Sequence, residues 1–74
     1  MELVATVMTS QLQTGDRVVL GEFILRVEDL AETDRPAAFG TGLEWLLRLS
    51  NECAGAREIA AAAEQRWQRV SRGV

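Results

Sequence analysis

The chain has 74 residues, of which 47% are hydrophobic and 26% charged, and its net charge is −3. This composition excludes an intrinsically disordered segment, and the length allows one small domain, residues 1–74, whose thin core disfavours a deep catalytic cleft. No apolar run reaches the roughly 20 residues of a membrane span, and the first residues lack the pattern of a signal peptide, so we expect a cytoplasmic protein.

Residues 2–30 predict three strands joined by two turns. The first strand, Glu2 to Met8, is rich in β-branched and apolar residues that show no helical period. Gln13 to Asp16 supplies a turn, with a glycine free to adopt positive φ and an aspartate able to bond nearby backbone amides. Arg17 to Leu20 then forms a short strand, and Gly21-Glu22 reverses the chain into a third strand, Phe23 to Leu30.

A loop and a half-buried strand are predicted next. The polar, proline-bearing stretch Glu32 to Pro36 and the glycines of Gly40-Thr41-Gly42 together predict a long mobile loop from Ala31 to Gly42. From Leu43 to Ser50, apolar residues alternate with mostly polar ones, and Trp45 falls on the apolar side. We therefore expect a half-buried strand with Trp45 in the core.

The C-terminal half also supports a helix, over residues 54–70 or 42–71. Thr41 to Glu44 fits a capping box, and the alanine run with the glutamate and glutamine behind it contains good helix formers and poor strand formers. Apolar residues recur at helical spacings of three and four at Trp45, Leu49, Cys53, Ala56, Ala60, Ala63, Trp67 and Val70. Against this helix stand Gly55 and a stripe made mostly of alanine, which buries little area.

The unit Gly15-Asp16-Arg17-Val18-Val19-Leu20-Gly21, followed by Arg26-Val27-Glu28-Asp29-Leu30, resembles the start of small, mostly uncharacterised actinobacterial and actinophage proteins. The similarity covers residues 2–30 and weakens beyond them, at the long loop and the alanine run. It implies a mainly β fold, a small SH3-like barrel of five or six short strands. It also implies strands at Leu43 to Ser50, about Ala56 to Ala60 and Arg66 to Ser71, with a turn at Ala61 to Gln65.

Two folds therefore remain open. Three N-terminal strands need edge partners to close a core, so we prefer the barrel. The alternative is an α+β fold, in which an N-terminal β-meander is followed by the C-terminal helix.

Residue types that carry catalysis are scarce. The chain has no histidine and no lysine, although acid–base chemistry at neutral pH most often uses histidine and covalent catalysis needs a nucleophile beside a base. We predict no enzyme, no catalytic residue, no cofactor and no metal site. Cys53 has no evident activator, so we expect it to be buried as a small apolar residue. The cluster Glu28, Asp29, Glu32 and Asp34 matches no EF-hand loop and is interpreted as a solvated acidic edge.

Arg66, Trp67, Arg69 and Arg72 form the candidate interaction surface. Arginine beside tryptophan occurs both in nucleic-acid grooves and at protein hot spots. On a strand these arginines would spread over both faces. In the competing interpretation, Trp67 is a core anchor with solvated arginines around it, and in a third interpretation the two tryptophans mark the seam of a homodimer.

The charge distribution favours a protein partner. Residues 1–36 carry three arginines against seven acids, and an acidic domain is poorly suited to nonspecific phosphate binding. The leading hypothesis is a non-enzymatic interaction module or accessory protein of an actinobacterial cell or mobile element, which uses a sheet edge or apolar patch to bind a protein or itself. The alternative is a small nucleic-acid-binding or regulatory barrel, in which the arginines contact phosphate while Trp67 stacks on a base.

Overall fold

Six antiparallel strands form one sheet in the computed structural model. The model describes residues 2–72, and for Glu2 and Arg72 it describes the backbone only. The strands are β1 (Glu2–Met8), β2 (Arg17–Leu20), β3 (Phe23–Pro36), β4 (Leu43–Asn51), β5 (Gly55–Ala62) and β6 (Arg66–Arg72), and a 3-10 turn, Thr9–Gln11, follows β1. Their order across the sheet is β1-β6-β2-β3-β4-β5, and the sheet is not closed. The expectation of a mainly β fold with about five or six strands is confirmed.

The predicted turn before β2 forms as its residue types indicate. Asp16 Oδ2 accepts a hydrogen bond from the Gln13 amide at 2.9 Å, and the Asp16 amide donates to the Gln13 carbonyl at 3.0 Å. Gly15 adopts φ 96° and donates its amide hydrogen to the Val27 carbonyl at 2.8 Å. The Val27 amide in turn donates to the Asp16 carbonyl at 2.7 Å. The turn therefore extends the β2–β3 ladder and fixes where β2 begins.

The predicted loop from Ala31 to Gly42 is wrong in its first half, because β3 continues as far as Pro36. The pairing with β4 shifts register between Glu32 and Pro36, so the polar residues form an irregular stretch of the strand instead of leaving the sheet. The Thr33 hydroxyl donates to a β4 carbonyl at 3.0 Å and holds this stretch in place. A proline is tolerated at the end of the strand because its missing amide is not needed there.

The helix over residues 54–70 or 42–71 is also wrong, because these residues form β4, β5, a turn and β6. The alanine run lies opposite the bulkier residues of β4, with the pairs Ala60–Leu46, Ala61–Trp45 and Ala62–Glu44. Ala61 and Ala62 are buried, and their small methyl groups fit against β4. Packing against a neighbouring strand thus outweighs a helix propensity of a few tenths of a kcal/mol per residue.

The link between β5 and β6 forces the sheet to curve. These strands lie four positions apart in the sheet order, which in a flat sheet would separate them by about 19 Å. Only residues 63–65 join them. The chain therefore takes four residue steps from Ala62 to Arg66, which span at most about 14 Å. The link is tighter still, because the Gln65 amide donates to the Ala62 carbonyl at 3.1 Å. The sheet therefore curls until the end of β5 meets the start of β6.

The concave side of this curved sheet, hereafter the inner face, carries the core. Its buried residues are Leu12, Val18, Leu25, Val27, Leu47, Leu49, Ala61 and Trp67. A β-bulge between Val27 and Asp29 shifts the register of β3 by one residue, so that Leu30, like Val27, packs towards the core. The opposite, convex side is the outer face.

The loop of the β3–β4 hairpin rests against the β5–β6 link. The Thr41 amide and hydroxyl both donate to Glu64 Oε1, at 3.0 and 3.1 Å. Gly40, at φ +88°, lies so close that an added Cβ would meet Glu64 Oε1 at 3.0 Å and the Ala62 Cβ at 3.2 Å. Gly42, at φ +81°, has open space at the corresponding position. This loop therefore seals one end of the curved sheet.

Gly40→Ala is expected to destabilise the protein more than Gly42→Ala does. Both changes place a side chain in the left-handed region, at about 1–2 kcal/mol, but only the Gly40 change also pushes against Ala62 and the Thr41–Glu64 hydrogen bonds. We expect the free energy of unfolding in urea to fall by about 1 kcal/mol more for Gly40→Ala. Equal losses would show that the loop does not pack on the link.

Candidate interaction surface

Trp67 is an internal anchor of the fold. Its side chain is 5% exposed, and the indole N–H donates to the Thr9 hydroxyl at 2.8 Å. Thr9 is fully buried and donates in turn to the Gln65 carbonyl at 3.3 Å, while its amide donates to the same carbonyl at 2.9 Å. Trp67 would have to leave the core to stack on a base.

The structure does not bring the four residues of the sequence-based surface together on one face. Arg66 is exposed on the outer face, opposite Met8. Arg69 lies opposite the buried Val18 and is half-buried on the inner face. The side chain of Arg72 lies outside the described residues, and only its backbone is placed, opposite Glu2. Strand alternation thus separates Arg66 from Arg69 and Trp67.

Trp45 faces the core but is only half-buried. Its Nε1 is buried and has no hydrogen-bond partner among the described residues. The expectation that Trp45 packs in the core is met in part, because its indole contacts the cluster while an edge of the side chain reaches the surface. The two tryptophans lie on different strands of the inner face, β4 and β6, and a dimer seam marked by them stays a prediction.

Two further expectations concern the Cys53 thiol and the cluster of acidic residues Glu28, Asp29, Glu32 and Asp34. Cys53 is exposed, so the expectation of a buried thiol is wrong: the residue lies in the β4–β5 turn, where its amide donates to Asn51 Oδ1 at 2.7 Å. The four acidic residues of the predicted cluster lie within β3 and are exposed, and Glu28 accepts a hydrogen bond from the Ser50 hydroxyl at 2.6 Å. Within residues 2–72, no three or more histidine, cysteine, aspartate or glutamate side chains are arranged so that they could hold a metal ion.

The outer face carries a row of residues that crosses all six strands. The row consists of Val4, Val70, Arg17, Arg26, Ser50 and Ala56, each opposite the next. Arg17 and Arg26 are thus direct neighbours across β2 and β3, an arrangement that is unfavourable for like charges. Glu28 and Glu52 line the same shallow groove. The two carboxylates balance the two guanidinium groups, so the groove has no net attraction for an anion.

Phe39 is the most exposed large apolar residue of the described chain. Its side chain is 88% exposed at the end of the β3–β4 hairpin. It borders a cavity of about 60 Å³ together with Glu44 and Gln65, well below the roughly 300 Å³ of a typical ligand pocket. The space beside Phe39 is therefore too small to be a typical ligand site.

The free edge of β1 is a second candidate interaction surface. Strand β1 pairs only with β6, so its other side has no strand partner among residues 2–72. From Leu3 to Met8 it contains no charged residue, glycine or proline, and Leu3 and Val4 are 53% and 61% exposed. Natural sheets normally protect an edge with charges, prolines or bulges. This edge carries none of these along its centre.

Hydrogen bonds at the end of β1 show which backbone groups point to the free edge. The Met8 amide donates to Gln11 Oε1 at 2.8 Å, away from β6, whereas the next amide, Thr9, donates to the Gln65 carbonyl. Because these directions alternate along a strand, Val4 and Thr6 share the direction of Met8. Their amides and carbonyls form the open edge, and the Gln11 side chain covers its end.

The opposite edge, β5, is protected in several ways. It carries the charged residues Arg57 and Glu58 and begins at Gly55. Just beyond it, the Ala63 carbonyl accepts a hydrogen bond from the Ser10 amide at 3.2 Å. Of the two edge strands, β1 offers the uncharged stretch, Leu3 to Met8, whereas β5 has charged residues near its centre. Sequence reasoning named a sheet edge as a binding surface but could not identify it, because the order of strands across the sheet depends on long-range pairing.

Comparison of the chain with models of known protein families, with curated proteins and with solved structures gives no match. The resemblance of residues 2–30 to actinobacterial and actinophage proteins stays a prediction. Among residues 2–72, the fold contains no helix of the length and apolarity needed to cross a membrane.

Thr9→Val is expected to lower the free energy of unfolding by about 1–3 kcal/mol, because it leaves the Trp67 indole N–H buried without an acceptor. In a Trp67→Phe background the same change should cost clearly less, since the donor is already gone. Urea unfolding of the two single variants and the double variant measures this coupling. Equal costs in both backgrounds would show that the hydrogen bond contributes nothing to stability.

Proposed function

We propose that this chain is a non-enzymatic, cytoplasmic interaction module that binds an extended segment of another polypeptide along the free edge of β1. The observation that carries the proposal is the edge itself. Its central residues are uncharged, and the amides and carbonyls of Val4 and Thr6 point away from the sheet. An extended segment can add to such an edge as a further strand, with main-chain hydrogen bonds for affinity and side-chain contacts for specificity.

The edge also indicates what kind of segment fits. Each added backbone hydrogen bond contributes about 0.5–1.5 kcal/mol net, so affinity has to come from several bonds together with apolar contacts. Leu3 and Val4 supply these contacts, on opposite faces of the strand. The best partner segment is therefore an extended, uncharged run of β-branched and other apolar residues.

The proposal of a binding role, and not a catalytic one, rests on side-chain chemistry. The chain has no histidine and no lysine, the groups most often used to move protons or form covalent intermediates near neutral pH. The mixed charges of the outer-face groove and the small size of the cavity beside Phe39 do not suggest a substrate.

Our proposal also includes the SH3-like barrel and the actinobacterial or mobile-element source that the sequence predicts. We regard the curved sheet as an SH3-like barrel that stays open between β1 and β5. The position of the last strand between β1 and β2, together with the short β5–β6 link, supports this view. A role as an accessory protein of an actinobacterial cell or mobile element is supported by the resemblance of residues 2–30 alone.

Thr6→Lys is expected to weaken strand addition, and Gln68→Lys is the matched control. Thr6 lies on the free edge, and Gln68 lies directly opposite it on β6, one strand further in. The probe is a fluorescently labelled seven-residue peptide of alternating valine and threonine, equal in length to β1. We expect saturable binding in fluorescence anisotropy, weakened at least about tenfold by Thr6→Lys, or 1.4 kcal/mol, and unchanged by Gln68→Lys.

Hydrogen exchange adds a residue-level readout to this experiment. On peptide binding, the amides of Val4 and Thr6 should exchange more slowly, since they gain acceptors, while those of Ala5 and Val7 should change little. Absence of peptide binding, or equal weakening by both lysine variants, would contradict the proposed use of the β1 edge.

A further inference from the structure

We infer that the segment this edge fits best is β1 of a second copy, paired antiparallel around a two-fold axis at Ala5. This inference rests on the proposed function, because it names the occupant of the same edge. Strand β1 runs from Glu2 to Met8, so Ala5 is its midpoint. Only an axis at this residue lets all seven residues of one copy lie opposite the seven of the other.

The hydrogen-bonding pattern agrees with this register. With the axis at Ala5, Val4 of one copy lies opposite Thr6 of the other, and both residues direct their amides and carbonyls to the free edge. Each Val4–Thr6 pair can therefore exchange two backbone hydrogen bonds, and the symmetry supplies two such pairs. The two Ala5 residues form the non-hydrogen-bonded pair between them, where side chains approach most closely. Alanine is small enough to fit at that position.

Charge is the second argument for a copy of the same chain. In a two-fold contact each patch meets itself, so a charge near the axis would face its own equivalent. The stretch from Leu3 to Met8 contains no charge, although about a quarter of the chain is charged. Of the remaining facing pairs, Leu3 with Val7 is apolar on both sides, and Glu2 lies opposite the uncharged Met8 and not opposite a second glutamate.

The assembly cannot grow beyond two copies of the chain. Strand β5, the other edge of the sheet, carries Arg57 and Glu58, and such charges disfavour edge-to-edge association. At the end of β1 the Met8 amide is already bonded to Gln11 Oε1. Of the two edge strands in residues 2–72, β1 is thus the one available for self-pairing, and the assembly is a closed dimer with one continuous twelve-stranded sheet.

A charge-swap experiment tests the register. Ala5→Lys and Ala5→Glu each place like charges face to face across the axis, while Ala5→Gln changes size without charge. Sedimentation equilibrium on the wild type should show a reversible dimer at concentrations up to about 1 mM. We expect self-association to weaken at least about tenfold in each charged variant and much less in the glutamine variant. An equimolar mixture of the lysine and glutamate variants should recover the dimer.

Three outcomes would overturn the inference: a wild type that stays monomeric at the highest concentration, a dimer that the charged variants leave intact, or a mixture that associates no better than its components. Urea unfolding of each variant checks that the fold is kept, since Ala5 lies opposite Arg69. A monomeric wild type that still binds the valine–threonine peptide would refute the second copy but keep strand addition. Failure of both measurements would refute the proposed function as well.

Discussion

Residues 63–65 must carry the chain from β5, at one edge of the sheet, back to β6, beside the opposite edge. A flat sheet cannot satisfy this link, so the strands between them coil around a common core. Hydrogen bonds to the link then hold distant parts of the chain. The Thr9 and Ser10 amides after β1 donate to its carbonyls, the Trp67 indole is connected to it through the Thr9 hydroxyl, and the loop of the β3–β4 hairpin is connected through Glu64. Curvature, core and loop positions all follow from one short connection.

The same connection makes the two edges of the sheet unequal. Because β6 inserts between β1 and β2, the first strand is displaced to the outside and pairs on one side only. Strand β5, at the other edge, ends at the link and carries the charged residues Arg57 and Glu58. An uncharged stretch such as Leu3 to Met8 has no such consequence inside a sheet, but at its edge it leaves backbone donors and acceptors exposed to an extended chain. The proposed binding role thus originates in strand order as much as in residue type.

Local patterns predicted much of the fold. The bounds of β1 and β2 and the turn at Gly15-Asp16 follow from β-branched residues and turn chemistry, and they agree with the structure. The alternative C-terminal helix and the first half of the predicted loop are wrong, and at both places distant residues decide the structure. The alanine run becomes a strand because β4 lies beside it, and the polar stretch before Pro36 stays in β3 because Thr33 bonds to β4. The burial of Trp67 and the exposure of the β1 edge both depend on where β6 inserts, which no local pattern encodes.

The placement of the two tryptophans gives the protein built-in optical reporters. The chain has no tyrosine, so these two indoles dominate its near-ultraviolet absorption and emission. Trp67 lies in β6 beside β1 and is buried and hydrogen-bonded. Trp45 lies in β4 beside β5 and is half-buried, and its Nε1 has no hydrogen-bond partner within residues 2–72. Each half of the curved sheet therefore carries its own fluorophore, in distinct surroundings. Single-tryptophan variants could follow the opening of each half separately and show whether the sheet unfolds as one unit.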